Sequence, residues 1–172
     1  GSGKTYAVWF GALARAAAVG IAFDSKTAPP LGVLWLTPMR ALAADTTRAL
    51  QLPLPDVAPA WTVGQRTGDT PSSERAKQAR RMPTALVTTP ESLSLMLTRE
   101  RAAQELGRVH TVIVDEWHEL IGNKRGVQVQ LALARLKRWN PQLAVWGLSA
   151  TLGNLGDAMQ TLCGSDATLV QG

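Results

Sequence analysis

The run Val112-Ile113-Val114-Asp115-Glu116-Trp117-His118 is an apolar segment that ends in two adjacent acids. A short, continuous apolar run is typical of a strand that is buried on both faces of a parallel sheet. Two neighbouring carboxylates repel each other unless a cation or a polar partner offsets their charge. The run therefore predicts a buried strand that ends in two acids with a cation or a polar partner nearby.

Runs of the same kind recur along the chain and alternate with helical patterns. The predicted strands are residues 32–37, 60–65, 84–88, 109–115 and 144–149. The predicted helices are residues 4–19, 41–50, 72–81, 91–97, 127–139 and 155–162, and residues 23–31 and 52–59, which are rich in proline, are predicted loops. This alternation predicts an α/β fold with a mostly parallel sheet flanked by helices and right-handed crossovers. Ligands of such sheets bind beyond the carboxyl ends of the strands.

Composition restricts the class of protein. The chain has 172 residues, a net charge of +5 and a pI near 10.0, and its 45% hydrophobic content is that of a globular domain. A single cysteine, Cys163, excludes an internal disulfide and, with two histidines, a structural zinc site of ordinary composition. No apolar run reaches the roughly 18 residues that a membrane span needs. These features favour a cytoplasmic protein, and the positive charge favours a nucleic-acid partner.

The first five residues, Gly1-Ser2-Gly3-Lys4-Thr5, form the second half of a phosphate-binding loop. Glycines let successive backbone N–H groups surround phosphate oxygens, and the helix that follows adds its positive N-terminal end. Lys4 would contact the β- and γ-phosphates, and the Thr5 hydroxyl would ligate Mg²⁺. The alternative is a glycine-rich loop that only caps a helix. We expect the first strand of the sheet to precede Gly1.

The acids after the strand at 109–115 complete such a site. Asp115 would hold Mg²⁺, through water, and Glu116 would polarise the attacking water. His118 is expected near the γ-phosphate, and Ser149-Ala150-Thr151 would form a hydrogen-bonding relay to the turn that carries the two acids. The alternatives are a solvated acidic turn at Asp115 and Glu116, and a simple helix cap at Thr151 or Asn154.

Together these segments resemble the motifs of superfamily 2 helicases. Motifs I, Ia, the Thr-Pro motif, II and III correspond to residues 1–5, 37–42, 88–93, 115–118 and 148–151. The Asp-Glu-x-His form of motif II is similar to that of DExH-box enzymes. The residues that follow, Glu119-Leu120, Gly122, Lys124-Arg125-Gly126 and Val127-Gln128, resemble the large-helicase-related (Lhr-type) group, in particular the bacterial ligase-associated helicases.

The resemblance implies that residues 1–172 are the N-terminal RecA-like P-loop NTPase domain of a two-domain helicase. It implies ATP and Mg²⁺ as cofactors, single-stranded or partly duplex DNA as substrate, and a second RecA-like domain beyond residue 172. It further implies movement in the 3′-to-5′ direction, a role in bacterial DNA repair with a ligase or nuclease as partner, and a nucleoid-associated location. The implied catalytic residues are Lys4, Asp115, Glu116, His118, Ser149 and Thr151.

The nucleic-acid side is expected at motif Ia and the Thr-Pro motif. The predicted contacts to the phosphate backbone are Thr37, Arg40, Gly68, Thr89 and Ser92. Thr89 also fits a helix N-cap with Pro90 in the first turn, and both roles are compatible. The 67–70 turn is expected near the DNA path or as a purely structural element. The charges of Arg75, Lys77, Arg80 and Arg81 fit a solvated helix face, and Lys124 and Arg125 have no assigned ligand.

Other functions remain open at this point. RNA could replace DNA, because backbone contacts alone discriminate poorly between them. The chain could also be an ATP- and nucleic-acid-binding module that is inactive in isolation. An unrelated P-loop kinase or GTPase is disfavoured, since the sequence lacks an Asn-Lys-x-Asp string and leaves Ser149-Ala150-Thr151 unexplained.

Overall fold

A five-stranded parallel sheet forms the centre of the protein. The computed structural model describes residues 2–23 and 26–149, and the strands there are β1 (Val33–Leu36), β2 (Val63–Arg66), β3 (Ala85–Thr88), β4 (Thr111–Val114) and β5 (Ala144–Gly147). Their order is β2-β3-β1-β4-β5, and every pairing is parallel. The predicted parallel α/β sheet is therefore confirmed, although each strand is shorter than the apolar run that predicted it.

Helices connect the strands. They are α1 (Ser2–Ala18), α2 (Arg40–Gln51), α3 (Leu54–Val57), α4 (Ser72–Arg80), α5 (Pro90–Leu97), α6 (Ala102–Leu106) and α7 (Lys124–Trp139), with a 3₁₀ turn at Trp117–Glu119. The predicted loop at 52–59 was wrong over α3, because proline is tolerated in the first turn of a helix. The short α6 was not predicted. The predicted helix at 155–162 and Cys163 lie outside the described residues.

Alternate residues of the strands enter two separate hydrophobic clusters. Leu34 and Leu36 of β1 belong to the cluster beneath α5, α6 and α7, whereas Val33 and Trp35 belong to the cluster beneath α1, α2 and α3. Both faces of the central strands are thus buried, which explains why these strands appear in the sequence as continuous apolar runs.

The tryptophans contribute mainly to these clusters. Trp9 and Trp35 are fully buried, and Trp117 packs in the cluster beneath α7 rather than facing outward. Trp146 is only partly buried and packs against the cluster beneath α1. Trp61 is also buried and makes edge-to-face contacts with the rings of Trp9 and Phe23. Among the described residues, no helix is long and apolar enough to cross a membrane.

His110 is a buried ionisable side chain at the start of β4. It is 6% exposed, its Nδ1 lies 2.8 Å from the Thr111 hydroxyl, and a Cβ atom on Gly32 would come within 2.7 Å of its Nε2. Burial, and secondarily the positive charge of Arg15, lowers the pKa of His110 from 6.5 to about 4. The folded protein therefore holds this imidazole neutral at pH values where an unfolded chain protonates it.

We predict that His110 makes the protein sensitive to mild acid. The unfolded state binds the proton first as the pH falls, so stability is complete above pH 6.5 and declines toward pH 4, by up to about 3 kcal/mol. The free energy of unfolding is measured with urea from pH 4 to pH 7 for the wild type and for His110→Gln. It should fall less steeply with decreasing pH in the variant. The same pH dependence in both proteins would contradict the role given to His110.

Candidate nucleotide and nucleic-acid site

The two acids of motif II lie directly after β4. The Asp115 amide donates to the Leu36 carbonyl at 2.8 Å, which extends the strand pairing by one residue. The Asp115 carboxylate accepts hydrogen bonds from Trp35 Nε1 at 3.3 Å and from the Glu116 amide at 2.9 Å. Burial raises the pKa of Asp115, the Glu116 charge adds to that effect, and both hydrogen bonds oppose it. An approaching cation would relieve this unfavourable charge environment.

Glu116 has an unusual backbone conformation. Its φ of 52° and ψ of 43° lie in the left-handed region, and it is the only described residue other than glycine with a positive φ. Side chains with a Cβ are strained there. The conformation ends β4 and starts the 3₁₀ turn Trp117–Glu119, whose first amide donates to the Leu148 carbonyl at 2.9 Å. The strained backbone thus fixes where the Glu116 carboxylate lies.

His118 links motif II to Ser149, the second residue of motif III. Its Nε2 lies 3.1 Å from Glu116 Oε2 and 3.5 Å from Glu119 Oε1. Its Nδ1 lies 3.3 Å from Ser149 Oγ. The structure therefore brings Glu116, His118 and Ser149 together, as the sequence predicted. Ala150 and Thr151 lie outside the described residues.

The predicted phosphate-binding segment lies at the start of α1, which is helical from Ser2 onward. Gly3 and Lys4 are exposed, Thr5 is half-buried, and Gly1 and the Ser2 side chain lie outside the described part of the chain. At the other end of α1, Arg15 Nε donates to the His110 carbonyl at 3.3 Å. A Cβ atom on Gly11, one turn earlier, would lie 3.2 Å from the ring of Trp146, which pairs with Ile113 in the sheet. Earlier turns of α1 thus lie beside later residues of β4, so the helix runs antiparallel to the strand. Helical and extended rises place both Lys4 and Asp115 about 16 Å from the contact between Arg15 and His110, at the same edge of the sheet.

The predicted nucleic-acid residues follow β1, β2 and β3 at this edge. Thr37 is buried, and its Oγ1 accepts from the Met39 amide at 3.3 Å. Arg40 is exposed and lies 3.2 Å from Asp69, and a Cβ atom on Gly68 would come within 3.2 Å of the same guanidinium nitrogen. The structure thus brings the motif Ia loop and the 67–70 turn together and leaves Arg40 accessible at the surface.

The Thr-Pro motif forms a capped helix start. The Thr89 hydroxyl accepts from the Ser92 amide at 3.3 Å, and Pro90 is the first residue of α5. The predicted N-cap is confirmed. Thr89 and Ser92 are both buried, and the Thr89 hydroxyl caps the helix rather than facing the surface.

The 67–70 turn is held by its own side chains and by Arg75. The Thr67 amide donates to Thr70 Oγ1 at 2.9 Å, and Arg75 Nη2 donates to the Thr67 carbonyl at 2.9 Å. Arg75 Nε also donates to the Thr70 carbonyl at 3.0 Å. Arg75 was predicted to belong to a solvated face, and that prediction was wrong, since its guanidinium braces this turn.

Sequence reasoning missed two further side chains at this edge. Trp35 lies in the predicted strand at 32–37, and its indole N–H also contacts Asp115. Glu91 lies in the Thr-Pro motif, and it forms an ion pair of 2.7 Å with Arg125. The basic residue after motif II was the available signal for this pair, yet no local pattern indicates which distant carboxylate it meets.

Comparison with known proteins identifies the family. The model for the DEAD/DEAH box helicases matches residues 1–158. The chain belongs to the DEAD/DEAH box helicase family. It is 41% identical over 180 aligned residues to the Lhr helicase/uracil glycosylase of Escherichia coli K12, a match that covers 95% of this chain and 11% of the relative. It is 35% identical to the ATP-dependent helicase Lhr-Core of Methanothermobacter thermautotrophicus, covering 95% of this chain and 20% of the relative.

A solved helicase supports the same grouping. The structure of Mycobacterium smegmatis helicase Lhr bound to ssDNA and AMP-PNP is 40% identical, has a TM-score of 0.70, and is matched over 77% of this chain and 18% of that chain. The predicted resemblance to Lhr-type helicases is confirmed, and that to the ligase-associated group stays a prediction. The chain spans between a tenth and a fifth of the length of the curated relatives described here.

We predict that glycine is preferred over alanine at position 116. Replacing Glu116 by Gly removes the left-handed strain that Glu116→Ala retains, so the Gly variant should be more stable by about 1 kcal/mol. At Glu119, whose φ is not positive, Glu119→Ala should instead be more stable than Glu119→Gly, by about 0.5 to 1 kcal/mol. Urea unfolding of the four variants measures both differences. Equal stability of the two 116 variants would mean that this backbone is not strained.

Proposed function

We propose that residues 1–172 are the N-terminal RecA-like domain of an Lhr-type, ATP-dependent DNA helicase that hydrolyses ATP to move along single-stranded DNA. The observation that carries this proposal is the contact network Glu116–His118–Ser149. It lies at the sheet edge toward which the N-terminus of α1 points, and the exposed guanidinium of Arg40 follows a neighbouring strand at the same edge.

The donor set suits a nucleotide with a divalent cation. Backbone N–H groups of residues Gly1 to Thr5 and the Lys4 ammonium would hold the phosphates. The Thr5 hydroxyl and the Asp115 carboxylate are hard oxygen donors of the kind that Mg²⁺ prefers, and the raised pKa of Asp115 marks a carboxylate that a cation would stabilise. When bound, Mg²⁺ would neutralise phosphate charge.

Glu116 is the proposed general base. Its carboxylate would accept a proton from the attacking water, while the contact with His118 Nε2 restricts its side chain. Ser149, together with Thr151, would connect this turn to β5 and to the second RecA-like domain. Such restraint matters because a general base must lie within hydrogen-bond distance of the water that it activates.

Arg40 is the proposed principal phosphate contact, with Thr37, Gly68, Thr89 and Ser92 shaping the loops around it. Its ion pair with Asp69 is exposed on both sides and therefore contributes little to stability. A phosphate group can replace Asp69 at small cost. We further propose a bacterial cytoplasmic, nucleoid-associated enzyme that acts in DNA repair with a ligase or nuclease.

The proposed function is tested on the full-length protein that contains this chain. ATP hydrolysis is measured without nucleic acid, with single-stranded DNA, and with RNA of the same sequence. At least tenfold stimulation by DNA supports the proposal. Stimulation by RNA alone would favour the RNA-directed alternative, and no stimulation by either would overturn the proposal.

In the same assay, Glu116→Gln should reduce hydrolysis by about 100-fold or more, because the amide cannot accept the proton of water. ATP binding, measured with a fluorescent analogue, should stay within about threefold. Glu119→Gln is the matched control, since Glu119 also contacts His118, at 3.5 Å, but lies outside the proposed chemistry. Unchanged turnover in the Glu116 variant would remove Glu116 from the mechanism.

Arg40→Ala should weaken binding of single-stranded DNA and lower the slope of log affinity against log salt by about 0.7, the loss of one phosphate contact. Arg48→Ala is the control, because Arg48 is an exposed arginine of the same helix that pairs with Asp45. Fluorescence anisotropy at several salt concentrations measures both variants. An unchanged slope for Arg40→Ala would exclude a direct phosphate contact.

A further inference from the structure

Arg125 joins two segments that lie far apart in the sequence. Its Nη2 donates to the Pro38 carbonyl at 2.6 Å. Its Nε lies 2.7 Å from Glu91 Oε1, and its Nη2 lies 3.3 Å from Glu91 Oε2. One guanidinium group therefore binds the motif Ia loop and the first turn of α5, the two segments that flank the proposed path of the nucleic acid.

The backbone of Arg125 is fixed to the turn after motif II. Asn123 caps α7, and its Oδ1 accepts from the amides of Arg125 at 3.0 Å and Gly126 at 3.2 Å. Asn123 Nδ2 donates to the Glu119 carbonyl at 2.9 Å. A Cβ atom on Gly126 would lie 2.2 Å from the Leu120 carbonyl oxygen, so only glycine permits this close approach. The start of α7 thus moves with the turn that carries motif II.

The position of Arg125 is not explained by the stability of its own helix. It is the second residue of α7, where the helix dipole disfavours a cation, and the first turn contains no acid to compensate. The contacts with Glu91 and Pro38 explain it instead. The side chains of the pair are 35% exposed for Arg125 and 49% exposed for Glu91, and Arg125 Nη2 is shared between Glu91 Oε2 and the Pro38 carbonyl. A guanidinium that binds two partners at once has a more defined position than an arginine in a single exposed ion pair.

We propose that Arg125 is a positioning residue for nucleic-acid binding. It holds the motif Ia loop and the start of α5 at a fixed spacing and ties both to the motif II turn. This inference rests on the proposed function, because it assigns a role in the same nucleic-acid site. Arg125 acts through Pro38 and Glu91 and does not itself contact phosphate.

The test uses the full-length protein with single-stranded DNA of fixed length. Arg125→Ala should raise the DNA concentration for half-maximal ATPase stimulation at least tenfold, while the KM for ATP stays within twofold. Lys124→Ala removes the same charge from the neighbouring, exposed residue and should stay within twofold on both measures. Arg125→Lys should remain impaired, because a compact ammonium lacks the planar guanidinium that reaches Pro38 and Glu91 together.

Two further measurements separate positioning from a direct contact. The salt slope of DNA binding should be unchanged in Arg125→Ala, and a decrease of about 0.7 would make Arg125 a phosphate ligand and overturn the proposal. Glu91→Gln should also weaken DNA binding. The double variant Glu91→Gln/Arg125→Ala should bind DNA no more weakly than Arg125→Ala alone, since both substitutions remove the same contact. Additive effects would overturn the proposal.

The outcomes also distinguish this inference from the proposed function. A wild-type protein that neither binds nor responds to DNA would overturn both. A wild-type protein that responds to DNA, with Arg125→Ala indistinguishable from it, would overturn only the role of Arg125. Should Arg125→Ala fail to fold, as judged by its Tm, the comparison of Arg125→Lys and Glu91→Gln with Lys124→Ala decides the question.

Discussion

The pairing between parallel strands continues one residue beyond the sheet, and the candidate site depends on this continuation. The Thr37 amide donates to the Thr88 carbonyl, that of Asp115 to Leu36, and that of Leu148 to Val114, each at 2.8 to 2.9 Å. The first residues after β1, β4 and β5 are therefore held as firmly as the strands themselves. Because the strands end in register, groups from distant parts of the sequence meet at one edge. Ordinary loops would not fix these groups with comparable accuracy.

Once the strand pairing ends, the chain must leave the sheet at once for the acids to stay at its edge. The left-handed conformation of Glu116 makes this turn in a single residue. Glycine would adopt the conformation with less strain, yet it would lack a carboxylate. The cost is tolerated because the Trp117 amide bonds the Leu148 carbonyl and the Trp117 ring is buried beneath α7. Strain at a site that surrounding contacts enforce is typical of residues with a chemical role.

The sequence predicted the sheet and several of the side chains that the structure brings to its edge, and its failures have physical reasons. Near-continuous apolar runs located most strands of the described sheet, because both faces of the central strands are buried. The edge strand β2 contains Gly64, Gln65 and Arg66 and ends one residue beyond its predicted range. Helix α7 begins three residues before the predicted start at 127, since the Asn123 cap lies outside the periodic pattern. The bonds from Trp35 to Asp115 and from Arg125 to Pro38 span 80 and 87 residues. Such partners are set by the tertiary structure, so the spacing of residues along the sequence does not predict them.

The two arginine–carboxylate pairs at this edge differ in how easily the arginine can leave its carboxylate. Arg40 and Asp69 are 59% and 73% exposed and meet through one nitrogen at 3.2 Å, so water and salt compete with the pair. Arg125 and Glu91 are more buried, and the same guanidinium is also bound to the Pro38 carbonyl. Freeing Arg125 would leave the Glu91 carboxylate without its cation and the Pro38 carbonyl without its donor. Under the proposed function, an anionic strand would therefore displace Asp69 from Arg40 while Arg125 keeps its partners. Arg40 would then bind and release phosphates in turn, and Arg125 would preserve the spacing between the two loops.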